Sequence, residues 1–308
     1  MIEHETSLTP YHQGVSVPAQ AGQDFVEKLR IPLLEGDFDA AIGACQGAMA
    51  QGLSANQVLS ELLTATMREI GDLWHRGEIS VADEHLATET ALELVSALGD
   101  LLHIRPSKGK RVVVSCVPEE FHTLGPRIAA EFLRADGWQV SFLGNGMPPD
   151  AMLRFIQERG VDAVVLSMTL SDSVGGALAT IRMLKRSLPQ MPILLGGPSL
   201  RDPDVTSLLR SEDLLLVHDL PSIVSELRVA CGLRPADSLE DYLEAIGARI
   251  TTLRKDKRWS QQELADSAGL DRSYVSSLER GKQNVSLSAL KRVADALGVS
   301  LDGLIREA

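Results

Sequence analysis

Five aliphatic runs separated by amphipathic stretches constrain this chain more than any other feature. They are RVVVSCV (111–117), WQVSFLG (138–144), DAVVLSM (162–168), PILLGG (192–197) and DLLLVHD (213–219). Runs apolar at nearly every position predict strands buried on both faces, as in a parallel sheet. Between them lie PRIAAEFLRADG, PDAMLRFIQERG and GGALATIRMLKRSL, whose spacing of three and four predicts the helices that cover such a sheet. The expected fold class is α/β, a doubly wound parallel sheet. Ligands of these sheets bind outside the carboxyl ends of the strands. The loops that follow the five runs are therefore where a site is sought.

The chain extends well beyond the sheet on both sides. At 308 residues it is long enough for two or three domains. Residues 1–20 show no hydrophobic period and predict a disordered arm. From 21 to 104 the apolar residues recur at three and four, as in Leu59, Leu62, Leu63, Ile70, Leu73 and Trp74, with Thr66 a polar gap; this predicts a small helical bundle. After the sheet segment, 111–232, and the joint LRPADS, residues 240–308 read as five short helices punctuated by Trp259-Ser260, Gly269, Gly281 and Gly298. No apolar run spans a bilayer, and the acids near the N-terminus do not suit an export signal, so a cytoplasmic protein is expected. Cys45, Cys116 and Cys231 are odd in number and form no CxxC pair, which predicts small core residues rather than disulfides or a thiolate zinc site. The net charge of −12 disfavours nucleic acid as a partner. That charge is unevenly spread: residues 240–308 contain 11 basic and 11 acidic residues, so the final segment is neutral.

The loop after the first run reads E-F-H-T-L-G, Glu120 to Gly125, with Pro126 placed for a first helical turn. It puts His122 at the ligand-binding edge. The third run ends in Ser167-Met168-Thr169 and the fourth in Gly196-Gly197, where glycines let backbone approach a bulky ligand. E-x-H-x-x-G, then S-x-T, then G-G, in this order on a flavodoxin-like sheet, resembles the cobalamin-binding domain. The resemblance implies that His122 is the lower axial ligand of cobalt and that Glu120 hydrogen-bonds its other nitrogen. It implies also that Gly125, Ser167, Thr169, Gly196 and Gly197 belong to the cofactor slot. Glu120 stands where Asp is commoner, with the same chemistry on a longer arm. A carboxylate behind a metal-bound imidazole fixes its tautomer and raises its basicity.

In LWHRGEISVADEHLATE, Leu73 to Glu89, Gly77 reads as a helix C-cap, and Ser80 with Asp83 as a capping box that starts the next helix. Val81, Glu84 and His85 share a face, and a tight turn would bring Trp74 and His75 beside them. W-x6-V-x2-E-H resembles the helical cap of adenosylcobalamin-dependent photoreceptor repressors. By that resemblance Trp74 and Val81 pack on the upper adenosyl group and Glu84 bonds its ribose or base. His75 matches the residue that takes the upper cobalt position after adenosine leaves, and His85 shapes the pocket.

Residues 251–305 resemble the helix-turn-helix of phage repressor and Cro-like regulators, with Leu264, Ala265, Val275, Leu278, Leu290 and Val293 as its core. Ser260 would cap the second helix and Gln261 reach phosphate. Asp271 would cap the recognition helix, leaving Arg272, Ser273 and Ser277 facing the major groove. Lys282, Gln283 and Asn284 would touch the DNA backbone, aided by local positive charge at Arg254, Lys255, Lys257 and Arg258. In the photoreceptor repressors the reader is a winged helix-turn-helix placed before the cobalamin unit; here a different reader follows it. The resemblance implies a non-enzymatic, light-sensing regulator that binds adenosylcobalamin and operator DNA as a dimer or tetramer. The same bundle and sheet also resemble methyl-carrying corrinoid proteins, and His122 would suit haem iron in a redox or tetrapyrrole sensor.

Overall fold

The computed structural model describes residues 19–102, 105–233, 239–282 and 285–306. They divide into two units, one ending at Leu94 and the other beginning at Val95. The first unit is helical: α1 (Ala19–Glu35), α2 (Phe38–Ala50), α3 (Ala55–Gln57), α4 (Thr64–His75) and α5 (Val81–Gly99), which runs across the division. A π-helical stretch, Val58–Leu63, joins α3 to α4 without a break. Leu29 and Leu33 of α1, Cys45 of α2, Leu59 and Leu63, Ile70 of α4 and Ala91 of α5 form its buried core. Thr66, the polar gap, is fully buried and donates to the carbonyl of Leu62 at 2.9 Å. The expected arm at 1–20 lies outside the described residues except for Ala19 and Gln20, which already belong to α1.

The second unit contains a five-stranded, all-parallel sheet in the order β2-β1-β3-β4-β5. Its strands are β1 (Arg111–Cys116), β2 (Gln139–Gly144), β3 (Ala163–Ser167), β4 (Ile193–Gly196) and β5 (Leu215–Val217). The helices between and after them are α6 (Leu124–Ala135), α7 (Pro149–Arg159), α8 (Val174–Ser187), α9 (Pro203–Leu209) and α10 (Ser222–Ala230). Alternate residues of one strand serve opposite faces. Val112 and Val114 pack with Leu133 of α6 and Leu227 of α10, whereas Val113 packs with Ile156 of α7 and Ile181 of α8. The chain order reverses between β1 and β3, the topological switch point where such sheets take their ligands.

The reader segment is α11 (Leu239–Asp256), α12 (Gln261–Ala268), α13 (Arg272–Glu279), α14 (Leu287–Leu297) and α15 (Leu301–Arg306). All six expected core residues are buried in one cluster. The first helix is not short: α11 has 18 residues and runs through Gly247. A β-carbon at Gly247 would lie 2.5 Å from the carbonyl oxygen of Leu278. The glycine therefore lets the end of α13 approach α11. Among the described residues the three cysteines are free; Cys45 and Cys116 are buried as expected, but Cys231 is only half-buried.

Candidate functional site

β1 ends at Cys116, and the chain turns through Glu119, a non-glycine residue with φ of +66°, into a loop anchored by Glu120. The Glu120 carboxylate is fully buried. One oxygen, Oε1, accepts from His122 Nδ1 at 2.6 Å and from the His122 amide at 2.9 Å. The other, Oε2, accepts from the amides of Thr169 and Leu170 at 2.6 and 3.0 Å. Burial alone would raise the carboxyl pKa; the bonds from His122, Leu170 and Thr169 outweigh it and pull the value down to about 2. An ionised Glu120 keeps the proton of neutral His122 on Nδ1, which places the lone pair on Nε2. The His122 side chain is 55% exposed. A fully buried carboxylate thus holds an exposed imidazole at the switch point.

The second side of the site is the β3–β4 edge. Ser167 pairs in register with Gly196, and Gly197, at φ +124°, lies so close to Met168 that a β-carbon there would collide with the Met168 carbonyl. Ser199 donates to that same carbonyl at 2.5 Å. Gly125, in the first turn of α6, has nothing within 4 Å of the place a β-carbon would take, so a bulky group can approach there. Glu120, His122 and Thr169 are therefore directly joined, and Ser167, Gly196 and Gly197 stand along the same edge. Two contributors carry no signal in the sequence: the amide of Leu170 and the hydroxyl of Ser199. An amide has no residue signature, and Ser199 gains its role only from the turn after Gly197.

In the first unit, Trp74 and His75 close α4 with ring centroids 4.7 Å apart. Gly77 takes φ +72° as the helix stop, and Ser80 and Asp83 form the reciprocal cap, with Asp83 Oδ2 accepting from the Ser80 amide at 2.8 Å. Trp74 is 41% and Val81 51% exposed, while His75 and His85 are exposed and Glu84 is half-buried. Glu84 is not without a partner, since its Oε1 accepts from Thr88 Oγ1 at 3.0 Å.

In the reader, Ser260 caps α12 with a full capping box to Glu263. Asp271 occupies the N-cap of α13 but makes no side-chain cap bond. Arg272, Ser273 and Lys282 are exposed and Ser277 is half-buried; Gln283 and Asn284 lie outside the described residues. Arg254 corrects the expectation of outward charge. It is 9% exposed and grips Glu279 through Nε and Nη2 at 2.5 and 3.0 Å. Gln261 joins the pair, its Nε2 donating to Glu279 Oε2 at 2.8 Å. Lys255, Lys257 and Arg258 remain exposed.

Family comparisons agree with these three parts. Residues 26–98 and 110–209 each match a B12 binding domain, and residues 250–304 match a helix-turn-helix. The chain is 31% identical over 147 residues, 47% of its length, to the HTH-type transcriptional repressor CarH of Myxococcus xanthus, of which it covers 48%. It is 42% identical over 62 residues to the immunity repressor protein of Bacillus phage phi105, covering 43% of that protein and 20% of this one. It thus spans about half the length of these two relatives. With dimethylamine corrinoid protein 1 of Methanosarcina acetivorans it shares 23% over 179 residues, 57% of this chain and 84% of the other. Over 69% of its length the chain is similar in fold to the Methanosarcina barkeri monomethylamine corrinoid protein, with a TM-score of 0.57 at 18% identity over 99% of that chain. The chain accordingly joins B12 binding domains to a C-terminal helix-turn-helix domain.

Proposed function

We propose that this protein is a cobalamin-dependent transcriptional regulator whose cofactor is adenosylcobalamin, whose signal is light and whose partner is double-stranded DNA. One observation carries the reading: a single chain holds both an exposed imidazole fixed by a buried carboxylate and a helix-turn-helix with Arg272 and Ser273 exposed. His122 Nε2 would take the lower cobalt position, an imidazole donor suited to that metal. Gly125, Ser167, Thr169, Gly196 and Gly197 would line the slot for the nucleotide tail. Trp74, Val81 and His85 would enclose the adenosyl group, and Glu84 would bond its hydroxyls. The bound cofactor supplies an alkyl–cobalt bond that visible light breaks. Trp74 and Val81 would be covered while that group is held and uncovered without it, and His75, in tilted ring contact with Trp74, would be the residue that holds the cobalt from this side. The assembly would be a dimer or tetramer acting in the cytoplasm as a regulator rather than an enzyme.

The experiment is the absorption spectrum of purified protein with and without adenosylcobalamin, before and after green light, paired with selection of bound sequences from random DNA. A protein that retains no corrinoid, or enriches no sequence, would not be this regulator. A second reading, a corrinoid methyl carrier, is supported by the 84% coverage of dimethylamine corrinoid protein 1. A carrier has no use for a sequence reader, so enrichment of a specific DNA sequence decides against it.

A further inference from the structure

The most exposed large apolar side chain among the described residues is Phe121, at 72%, and it stands in the loop between Glu120 and His122. On the opposite loop Leu170, 48% exposed, follows Thr169. Single apolar residues on a surface are ordinary. These two are set apart by their place, on the two loops that the buried Glu120 carboxylate ties together.

Hydrogen bonds keep both loops in place. Around Phe121, the Glu120 amide donates to Val117 O at 3.2 Å, the His122 amide to Glu120 Oε1 at 2.9 Å, and the buried Cys116 thiol to His122 O at 3.6 Å. The turn into this loop keeps Glu119 at φ +66°, a conformation that residues with a side chain rarely adopt. Leu170 is held at both of its backbone groups: its amide donates to Glu120 Oε2 at 3.0 Å, and its carbonyl accepts from the Ser173 amide at 3.2 Å. One carboxylate thus fixes the backbone that carries both apolar side chains.

We infer that Phe121 and Leu170 form an apolar seat for the corrin ring of a cobalamin. This seat rests on the proposed cofactor and adds what holds its ring, as distinct from the axial nitrogen and the tail slot. A corrin is a macrocycle far wider than an imidazole, with hydrocarbon faces and with amides that hang from its rim. A ring that docks on His122 therefore also meets the residue next to it, and Leu170 follows directly on Thr169. Taking these side chains out of water adds affinity in proportion to the apolar area covered. Loops already fixed by Glu120 lose little freedom on binding, so most of that gain is kept.

The test uses the full chain and two corrinoids titrated in the dark: adenosylcobalamin, and the analogue whose tail ends in adenine instead of dimethylbenzimidazole. Phe121→Ser, Phe121→Leu and Leu170→Ser are compared with wild type. Both side chains are exposed, and the bonds at Leu170 use its backbone, so the substitutions empty no core and the unfolding of the cofactor-free chain is expected to stay unchanged. Phe121→Ser is expected to weaken binding about tenfold and Leu170→Ser about threefold. The factor is the same for both corrinoids, and Phe121→Leu falls between Phe121→Ser and wild type. The Co(II) form of each variant keeps the protein nitrogen in its electron paramagnetic resonance spectrum, which His122→Ala removes. Serine variants that bind both corrinoids as tightly as wild type overturn the seat and leave these side chains to another occupant. A loss confined to one corrinoid assigns them to the tail, and loss of the nitrogen signal assigns the effect to His122; either result overturns the seat. A wild type that binds neither corrinoid overturns the cofactor reading and the seat with it.

Discussion

Glu120 does more than orient an imidazole, because its two oxygens tie its own loop to amides that lie 49 and 50 residues further along the chain. Its folded pKa of about 2 lies below the ordinary 4.5, so its stabilisation is complete above pH 4.5 and is lost as pH falls towards 2. A shift of this size corresponds to on the order of 3 kcal/mol. Glu120→Gln removes the charge and also turns an amide N–H towards the Thr169 and Leu170 amides or towards His122, leaving donor against donor. The expected result is a loss of up to about that amount in chemical denaturation at pH 7, with the gap to wild type closing between pH 4.5 and pH 2. A gap that does not change with pH would show that the carboxylate charge is not what holds the loops. His122→Ala is expected to weaken corrinoid retention and to remove the protein nitrogen from the electron paramagnetic resonance spectrum of the Co(II) form. The pairing of Glu120 with His122 was legible only through the family resemblance that E-x-H-x-x-G carries. The rest of the Glu120 environment was not, because backbone amides from a distant loop leave no mark in the letters. Arg254 shows the same limit from the other side: its letter announces a charge, but only the fold places Glu279 against it.

Among the elements, the strands were readable to within two residues because each lies in a largely apolar run bounded by polar or glycine positions, although β2 carries Gln139 and Ser141. Register and strand order were less so, since they depend on which runs meet. α13 and its supports give the element-scale predictions. Arg272 is exposed at the first position of α13, and Arg272→Ala is expected to relax preference at one base of each half-site at a cost of about 1 to 3 kcal/mol. Selection on random DNA with the variant checks this; unchanged preference at every position would remove Arg272 from the reading face. Gln261→Ala is expected to weaken all sequences alike, for two reasons: a lost phosphate contact, and a lost hydrogen bond to the Glu279 that Arg254 also holds. Ser260→Ala removes the bond its hydroxyl accepts from the Glu263 amide and is expected to cost about 1 kcal/mol of reader stability in thermal unfolding. The length of α11 was not legible, because a glycine such as Gly247 weakens a helix taken alone. Its use as a close-approach site becomes visible only with α13 packed against it.

For the whole molecule, the order of parts was legible because five apolar runs stand between two segments of helical character, while the route of a signal through them was not. The proposed signal enters at Trp74 and Val81, which are both more than a third exposed. Burying these side chains on an adenosyl group would stabilise the assembly that holds it, and removing the group would uncover an indole ring while Glu84 keeps its bond to Thr88. Exposing that apolar surface again would cost roughly a few kcal/mol, enough to shift a balance between two packings. His75, in ring contact with Trp74, would hold the second packing by ligating cobalt. Because two linked recognition helices bind far more tightly than one, a change of oligomer changes DNA occupancy. The expected outcome is that green light alters both the mass in size-exclusion chromatography and the operator affinity of the adenosylcobalamin form. Trp74→Ala should reduce the difference between dark and light, and His75→Ala should let the illuminated state revert once fresh cofactor is supplied. If wild-type protein keeps one mass and one affinity after its spectrum has bleached, the light switch is wrong even where cobalamin is bound.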